Sequence, residues 1–163
     1  MERDARPAFT GLLVYEDPTF GFSVLVPDGW HRLSLSESSS GVFFAPDDAD
    51  PLTGLAIEVK RLGTRIRPSD LPTVRRGLLS GLRNLPGYRI EQDEAEAVDQ
   101  LLTLEARLTF TEDGCTRKRW VRLLYLGRTQ VRLIAQGASI ELFEYWEPMF
   151  FEAMRTIHFG SGF

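Results

Sequence analysis

Few residues of this chain belong to the types that perform nucleophilic or metal chemistry, and none has the spacing that such chemistry needs. The 163 residues include one cysteine, Cys115, and two histidines, His31 and His158, near opposite ends. Metal sites and histidine-based acid–base catalysis need partners at defined spacing, and no H-E-x-x-H, H-x-x-x-H or C-x-x-C occurs. Cys115 follows an acidic turn, where a neighbouring carboxylate disfavours the thiolate, so we expect an unreactive thiol near the surface. The sequence therefore predicts no catalytic residue, no metal site and no cofactor.

The serine-rich segment at 34–40 and the acidic run at 47–50 also lack a chemical context. No G-x-S-x-G surrounds the serines, and no glycine-rich phosphate loop occurs anywhere in the chain. The acidic run lacks the ligand register and the downstream glutamate of an EF-hand calcium loop. Both segments are predicted to be solvated polar loops.

The strongest basic cluster lies at 117–122 and contains three arginines, one lysine and Trp120. Aromatic and basic residues together can hold single-stranded nucleic acid. Strand alternation would split these side chains between two faces, and Glu105 and Arg107 on the preceding strand offer cross-strand pairing instead. With a net charge of −4, the chain is not expected to bind nucleic acid.

Length and composition predict one globular domain over residues 1–163. A single cysteine excludes an internal disulfide. No run of about 18 apolar residues is present, so no membrane span is expected. The first 15 residues carry charges of both signs and do not resemble a secretory signal. A cytoplasmic protein is therefore expected, with a removed leader as the open alternative.

Strand patterns dominate the chain. Residues 102–110 alternate apolar and polar over nine positions, which predicts a strand with one dry and one wet face. Asp113-Gly114 predicts a hairpin turn, 117–126 the returning strand, 127–129 a second turn, and 130–138 a third strand. These consecutive strands should form an antiparallel meander.

Two helices are expected among the strands. The first covers about 70–85, with Ser69 as N-cap, Pro72 in the first turn and an apolar stripe at three- and four-residue spacing. The second covers about 140–154, and Pro148 should kink or divide it. Strands in runs with short connections, plus two helices, predict an α+β fold built on an antiparallel sheet.

Both ends of the chain resemble a known family. Residues 16–18, 21–24 and 26–30 (EDP, GFSV and VPDGW) are similar to the opening hairpin of the PsbP-like family, and 154–159 to its closing helix and strand, with Thr156 where a serine is common. That family includes an extrinsic photosystem II subunit, a Ran-binding import factor and uncharacterised bacterial proteins. The resemblance implies an α/β/α sandwich and a noncatalytic binding or accessory role.

Aromatic side chains suggest where such a protein would bind. The second helix is apolar around most of its circumference, so either loops of the same chain or a partner should cover it. The candidate interface with a protein partner, or with a second copy in a homodimer, comprises Phe143, Tyr145, Phe151 and Met154. The alternative function is a small-molecule binding protein or enzyme with an apolar pocket between sheet and helices. Its candidate lining comprises Trp30, Trp120, Tyr125 and Trp146.

Overall fold

The computed structural model describes residues 11–19, 21–35 and 41–159, so most of the serine-rich segment lies outside the described residues. Nine strands and two α-helices follow one another along this part of the chain. The strands are β1 (Leu12–Asp17), β2 (Phe22–Pro27), β3 (His31–Ser34), β4 (Gly41–Ala45), β5 (Gly54–Ile66), β6 (Arg89–Val98), β7 (Leu101–Glu112), β8 (Cys115–Gly137) and β9 (His158–Phe159). The helices are α1 (Leu71–Leu82) and α2 (Ile140–Thr156).

The strands form two antiparallel sheets. The large sheet has the order β3-β4-β5-β8-β7-β6, and the small sheet has the order β1-β2-β9. Every neighbouring pair in the large sheet is antiparallel. The expected α+β class, with an antiparallel meander and two main helices, is confirmed.

β8 folds back on itself at Gly127. Three hydrogen bonds join residues placed symmetrically about the Gly127-Arg128 step: Arg117 to the Ala138 carbonyl, Arg119 to Gln136, and Gln130 to the Tyr125 hydroxyl. In one straight strand, residues 17 positions apart would be separated by roughly 55 Å, so these contacts require a hairpin. Gly127 adopts φ +60, which suits glycine at a tight turn. The turn expected at 127–129 is therefore present, and β8 contributes two adjacent arms.

The first arm of β8 pairs with β7 and the second pairs with β5. Together with β6, these elements form the meander. β6 itself was not expected from the sequence. It is an exposed, acidic edge strand that pairs with β7 over Arg89–Val98.

The helices differ in detail from the expectation. Pro68–Asp70 form a 3-10 turn, so Asp70 rather than Ser69 occupies the N-cap position of α1. Ser139 caps α2 by accepting a hydrogen bond from the Leu142 amide at 3.1 Å. α2 continues through Pro148 and is not divided there. The carbonyl that Pro148 cannot bond belongs to Glu144, which is exposed, so water can satisfy it.

The two helices lie on opposite faces of the large sheet. We call the face that carries α1 the outer face and the face that carries α2 the inner face. The inner core joins α2 to β2, β4, β5 and β8. The outer core joins α1 to β7 and the first arm of β8. In β7 the alternating residues from Leu102 to Phe110 are buried on the outer face, so the dry face expected from the sequence is the one beneath α1.

Candidate functional site

The four residues expected to line a pocket lie in three places. Trp30 and Trp146 form an edge-to-face pair at 5.5 Å between ring centroids and pack against the inner core. Trp120 is buried in the inner core beneath Phe151. Tyr125 lies on the outer face, beneath α1. No single pocket can contain all four, because Trp120 and Tyr125 are an odd number of positions apart on one strand and face opposite sides.

The interface predicted on α2 needs a correction. Phe143 and Met154 are 0% and 1% exposed, so neither can contact a partner. Both pack into the inner core, where they meet Phe150 and the strands of the sheet. Phe151 is 49% exposed and Tyr145 is half-buried. Of the four residues predicted for the interface, Phe151 and part of Tyr145 therefore remain accessible to a partner.

The basic cluster at 117–122 is divided between the two faces, as the alternation predicts. On the inner face Arg122 pairs with Glu105 at 3.1 Å directly across the ladder. Arg107 lies 4.2 Å from the centroid of Trp120 and also pairs with Glu147 of α2. These pairs tie α2 to the sheet and account for the inner half of the cluster structurally.

Two open clefts lie on the outer face. The first is an open cleft of about 530 Å³ between α1 and β8. α1 contributes an apolar wall that includes Val74, Leu78 and Leu82. Beneath it, β8 contributes Val121, Leu123, Tyr125 and Ile134.

A second open cleft, of about 430 Å³, continues from the first toward the far edge of the sheet. It is lined by residues of β3, β4, β5 and the turn before β5. Arg119 and Ile134 line both clefts. The two clefts therefore adjoin at Arg119 and Ile134, and we call them together the outer groove.

An apolar row crosses four sheet elements along the floor of the outer groove. The ladder places Ala56 opposite Ile134, Phe43 opposite Ala56, and Leu33 opposite Phe43. The fold of β8 places Val121 beside Ile134. At the usual strand spacing of about 4.8 Å, the row from Val121 to Leu33 measures roughly 19 Å. No helix covers its β3–β5 end within the described residues, and Leu33 there is 36% exposed.

Arg119 stands where the two clefts meet. Its guanidinium donates to the side-chain oxygen of Gln136 at 2.9 and 2.5 Å and stacks on Phe110 at 4.6 Å. The Gln136 amide group in turn donates to the carbonyl of Leu52 at 3.0 Å. A neutral amide therefore holds the arginine in place, and among the described residues no carboxylate lies within ion-pair distance of it. The nearby Glu112 pairs with Arg117 at 3.3 Å instead.

Burial and the neighbouring charge of Arg132 act on this arginine. Desolvation is the main cause that lowers the pKa of the Arg119 guanidinium, Glu112 opposes it, and Arg132 adds to it. The side chain stays charged, since even a lowered arginine pKa lies far above neutral pH. Arg132 itself pairs with Glu58 on the other side of the apolar row. Among the described residues, Arg119 thus forms no ion pair and is compensated by Glu112 only at longer range. A charge held in this way is costly in a partly desolvated site.

Two glycines keep the α1 wall of the outer groove low. Gly77 and Gly81 are four residues apart on α1, and both line the groove. A Cβ at either position would meet no atom within 4 Å. Alanine would therefore fit, and each glycine costs the helix about 1 kcal/mol relative to alanine. Their presence widens the groove at the expense of helix stability.

The sequence did not indicate the outer groove as a site. Arg119 was expected to belong to a structurally paired cluster, and no local pattern marks the apolar row that β3, β4, β5 and β8 form together. The available hint was the combination of Gly77 and Gly81 on the apolar side of a short helix, since glycine in a helix interior needs a reason.

Other kinds of site are not evident in the part of the chain that the structure describes. No three His, Cys, Asp or Glu side chains there are grouped as metal ligands would be. Cys115 is exposed, as expected. None of the described helices combines the length and the apolar character needed to cross a lipid bilayer. The cytoplasmic location stays a prediction.

Comparison with known proteins identifies the fold. The chain matches no protein-family model and no curated protein sequence. Solved structures do match. The cyanobacterial PsbP of Synechocystis (CyanoP) gives a TM-score of 0.60 at 16% identity, over 93% of this chain and 94% of that one. LpqN of Mycobacterium tuberculosis, involved in cell envelope biogenesis, gives 0.62 at 16% identity, over 92% and 91%.

A third similar structure comes from yeast. The Ran-binding protein Mog1p of Saccharomyces cerevisiae gives a TM-score of 0.54 at 14% identity, over 91% of this chain and 95% of that one. Similarity at this level of identity concerns the arrangement of the backbone. Each match spans nearly the whole of both chains. The protein therefore has the PsbP-like fold, as the residues at its two ends indicated.

Proposed function

We propose that this protein is a noncatalytic binding domain that holds an extended segment of a partner protein in the outer groove. The observation that carries the proposal is the apolar outer groove, with Arg119 where its two clefts meet and, among the described residues, no carboxylate within ion-pair distance of that arginine. Exposed apolar surface bordered by polar groups is typical of interaction sites. One protein of similar fold, Mog1p, is itself a protein-binding protein, which supports a partner of this class.

The shape of the groove favours a chain segment as the occupant. Its apolar floor crosses the strands over roughly 19 Å, which about six residues of extended chain would span. The groove is open along its length, whereas small-molecule sites enclose most of the ligand surface. Open grooves that offer apolar subsites and a fixed charge are the usual way in which peptide segments are recognised.

A second candidate function is the binding of a small molecule in the α1 half of the groove. The volume there, about 530 Å³, falls within the usual range of ligand pockets. The Tyr125 hydroxyl, which accepts a hydrogen bond from Gln130 at 2.9 Å, could orient such a ligand. The same experiment separates the two candidates.

The test is selection from a displayed library of random 12-residue peptides on the wild-type protein, followed by affinity measurement on a blocked groove. Ala56→Trp places an indole on the groove floor, where Ala56 is half-buried and faces open space beside Phe43 and Ile134. The matched control is Ala97→Trp, the same change on the exposed edge strand β6. Thermal unfolding verifies that both variants fold.

The proposal predicts that enriched peptides bind the wild type and Ala97→Trp equally and lose at least tenfold in affinity on Ala56→Trp. Enriched peptides that bind Ala56→Trp unchanged would place the interaction elsewhere and refute the proposed site. The second candidate would be favoured if no peptide is enriched and a small molecule stabilises the wild type against thermal unfolding. The same molecule should then not stabilise a variant with a larger side chain at Gly81.

A further inference from the structure

Arg119 has the properties of a residue that binds a carboxylate. Its guanidinium is partly desolvated, is positioned by Gln136 and Phe110, and lacks an acidic partner among the described residues. A positioned guanidinium is well suited to a carboxylate, because its N–H groups match the geometry of two carboxylate oxygens. A carboxylate that entered the groove would form an ion pair with Arg119 that the free protein lacks, and this would favour binding.

The position of Arg119 along the groove decides what kind of molecule carries that carboxylate. Apolar surface extends from Arg119 in both directions. On one side lie Leu78 of α1 and Leu123 of β8 beneath it. On the other side lie Phe43 and Leu33 near the sheet edge. A fatty acid has its carboxylate at one end and could fill only one side. A peptide can place an acidic side chain between two apolar side chains.

We infer that the outer groove selects partner segments in which an aspartate or glutamate lies between two apolar residues, with Arg119 as the residue that determines the acidic position. The inference rests on the proposed function and adds the sequence class of the partner. Arg132 has a different role, because Glu58 already balances its charge and fixes it beside the apolar row.

The turn before β5 helps to hold Arg119 in place, and so fixes where the acidic side chain of a partner would bind. Gln136 is held from one side by Arg119 and from the other by its own bond to the Leu52 carbonyl. The Ala138 amide donates to the buried Thr53 hydroxyl at 2.9 Å, which fixes the turn to the end of β8. A cation supported in this way loses little side-chain freedom on binding, which favours a specific contact over a diffuse one.

The experiment uses the enriched 12-residue peptides as probes against substituted proteins. Arg119→Gln removes the positive charge. Arg119→Lys keeps the charge but loses the paired N–H groups of the guanidinium, and Arg119→Glu reverses the charge. The matched control is Arg76→Gln, on the exposed side of α1. Peptides are made with the acidic residue retained or replaced by lysine, affinity is measured by fluorescence anisotropy, and thermal unfolding reports on each variant's fold.

The expected result has three parts. Enriched peptides carry an acidic residue between apolar ones. Arg119→Gln weakens binding by roughly 10- to 100-fold, Arg119→Lys by less, and Arg76→Gln not at all, as expected for a charge-assisted hydrogen bond. The lysine peptide binds Arg119→Glu better than it binds the wild type. That exchange cannot arise from a merely structural role of Arg119.

Two kinds of failure are distinguishable. Peptides that are lost on Ala56→Trp but show no acidic preference, or that ignore Arg119→Gln, would overturn this inference and leave the proposed function intact. Peptides that ignore Ala56→Trp would overturn both. Binding of hexadecanoate that depends on both Ala56 and Arg119, without any enriched peptide, would overturn both in favour of an anionic amphiphile.

Discussion

At the residue scale, arginines carry most of the polar organisation of this protein, and their surroundings decide their roles. Arg122 and Arg119 lie three positions apart on one arm of β8 and face opposite sides of the sheet. Arg122 is paired with Glu105 and also donates to the carbonyl of Met154 near the end of α2. Arg119 is held by the neutral amide of Gln136 and by the ring of Phe110, and no ion pair joins it to another described residue. The first is therefore structural, and the second is available for a ligand.

Removal of Arg122 should destabilise the fold. Arg122→Gln would lose the pair with Glu105 and the contact that anchors the end of α2, both partly buried. We expect a loss of about 1.5–3 kcal/mol in the free energy of unfolding. Arg155→Gln is the control, because the Arg155–Glu152 pair is an exposed i,i+3 pair worth about 0.5 kcal/mol or less. Urea denaturation measures both, and equal losses would contradict the structural role.

Tyr125 should make stability depend on alkaline pH. Burial is the main cause that raises the pKa of its phenol above the usual value. The unfolded chain then releases this proton first, near pH 10, so the contribution is complete below about pH 10 and is lost as pH rises through the folded pKa. Tyr125→Phe should therefore flatten the fall in unfolding free energy above pH 10. An identical fall in wild type and Tyr125→Phe would contradict this account.

At the element scale, α1 is sparsely packed, and its two groove-lining glycines contribute to this. Leu82 is its single buried residue, although the apolar stripe is regular. Part of that stripe faces the outer groove instead of the sheet.

Gly81→Ala should stabilise the protein. A Cβ there meets no atom within 4 Å, so the substitution should raise the unfolding free energy by about 1 kcal/mol through helix propensity alone. Gly87→Ala should do the opposite, because Gly87 has φ +60 and its Cβ would come within 2.8 Å of the Thr111 hydroxyl. Thermal unfolding measures the two, with a rise of about 2–4 °C expected for Gly81→Ala. A lower unfolding temperature for Gly81→Ala would mean that a Cβ at this position meets neighbouring atoms within 4 Å.

The elements show what the sequence could and could not predict. The alternation at 102–110, the Asp113-Gly114 turn and the turn near Gly127 predicted the meander, because each signal is local. β6 was not predicted because its acidic run lacks the β-branched and aromatic residues typical of strands, and because it pairs as an edge strand. The outer groove was not predicted for a different reason. Its floor combines single residues from β3, β4, β5 and β8, and only the pairing register brings them together.

The aromatic residues of α2 show the same limit. Their excess on the helix correctly indicated cover on more than one side, but the sequence could not say what supplies it. The sheet and β2 cover Phe143 and Met154 from within the chain. The apolar circumference of the helix therefore indicated that more than one side is covered, but not which part of the molecule covers it.

At the scale of the whole molecule, self-association through α2 is not expected. With Phe143 and Met154 buried, Phe151 is the one large apolar residue of α2 that is exposed, and its ring centroid lies 6.4 Å from that of Trp120. Light scattering should therefore give the monomer mass, 18.5 kDa, for the wild type and for a folded Phe151→Glu variant. A wild-type dimer that this substitution dissociates would restore the interface predicted from the sequence and would compete with the outer groove as the binding surface.

The whole molecule has two faces with different roles. The inner face is closed by α2, the small sheet and a set of ion pairs. The outer face is closed by α1 over only one half, and the remaining half carries the groove and Arg119. This asymmetry is the reason for assigning binding to the outer face.

The most direct measurement is a map of backbone amide chemical shifts by nuclear magnetic resonance, during titration with the most enriched peptide. Our account predicts that the largest changes follow the groove: residues 33–35 and 41–43, Ala56, Arg119, Ile134 and the 74–82 side of α1. Amides of α2 near Phe151 should barely change. Changes centred on α2 and the Trp120–Phe151 stack, with the groove silent, would contradict the account and return the binding site to the inner face.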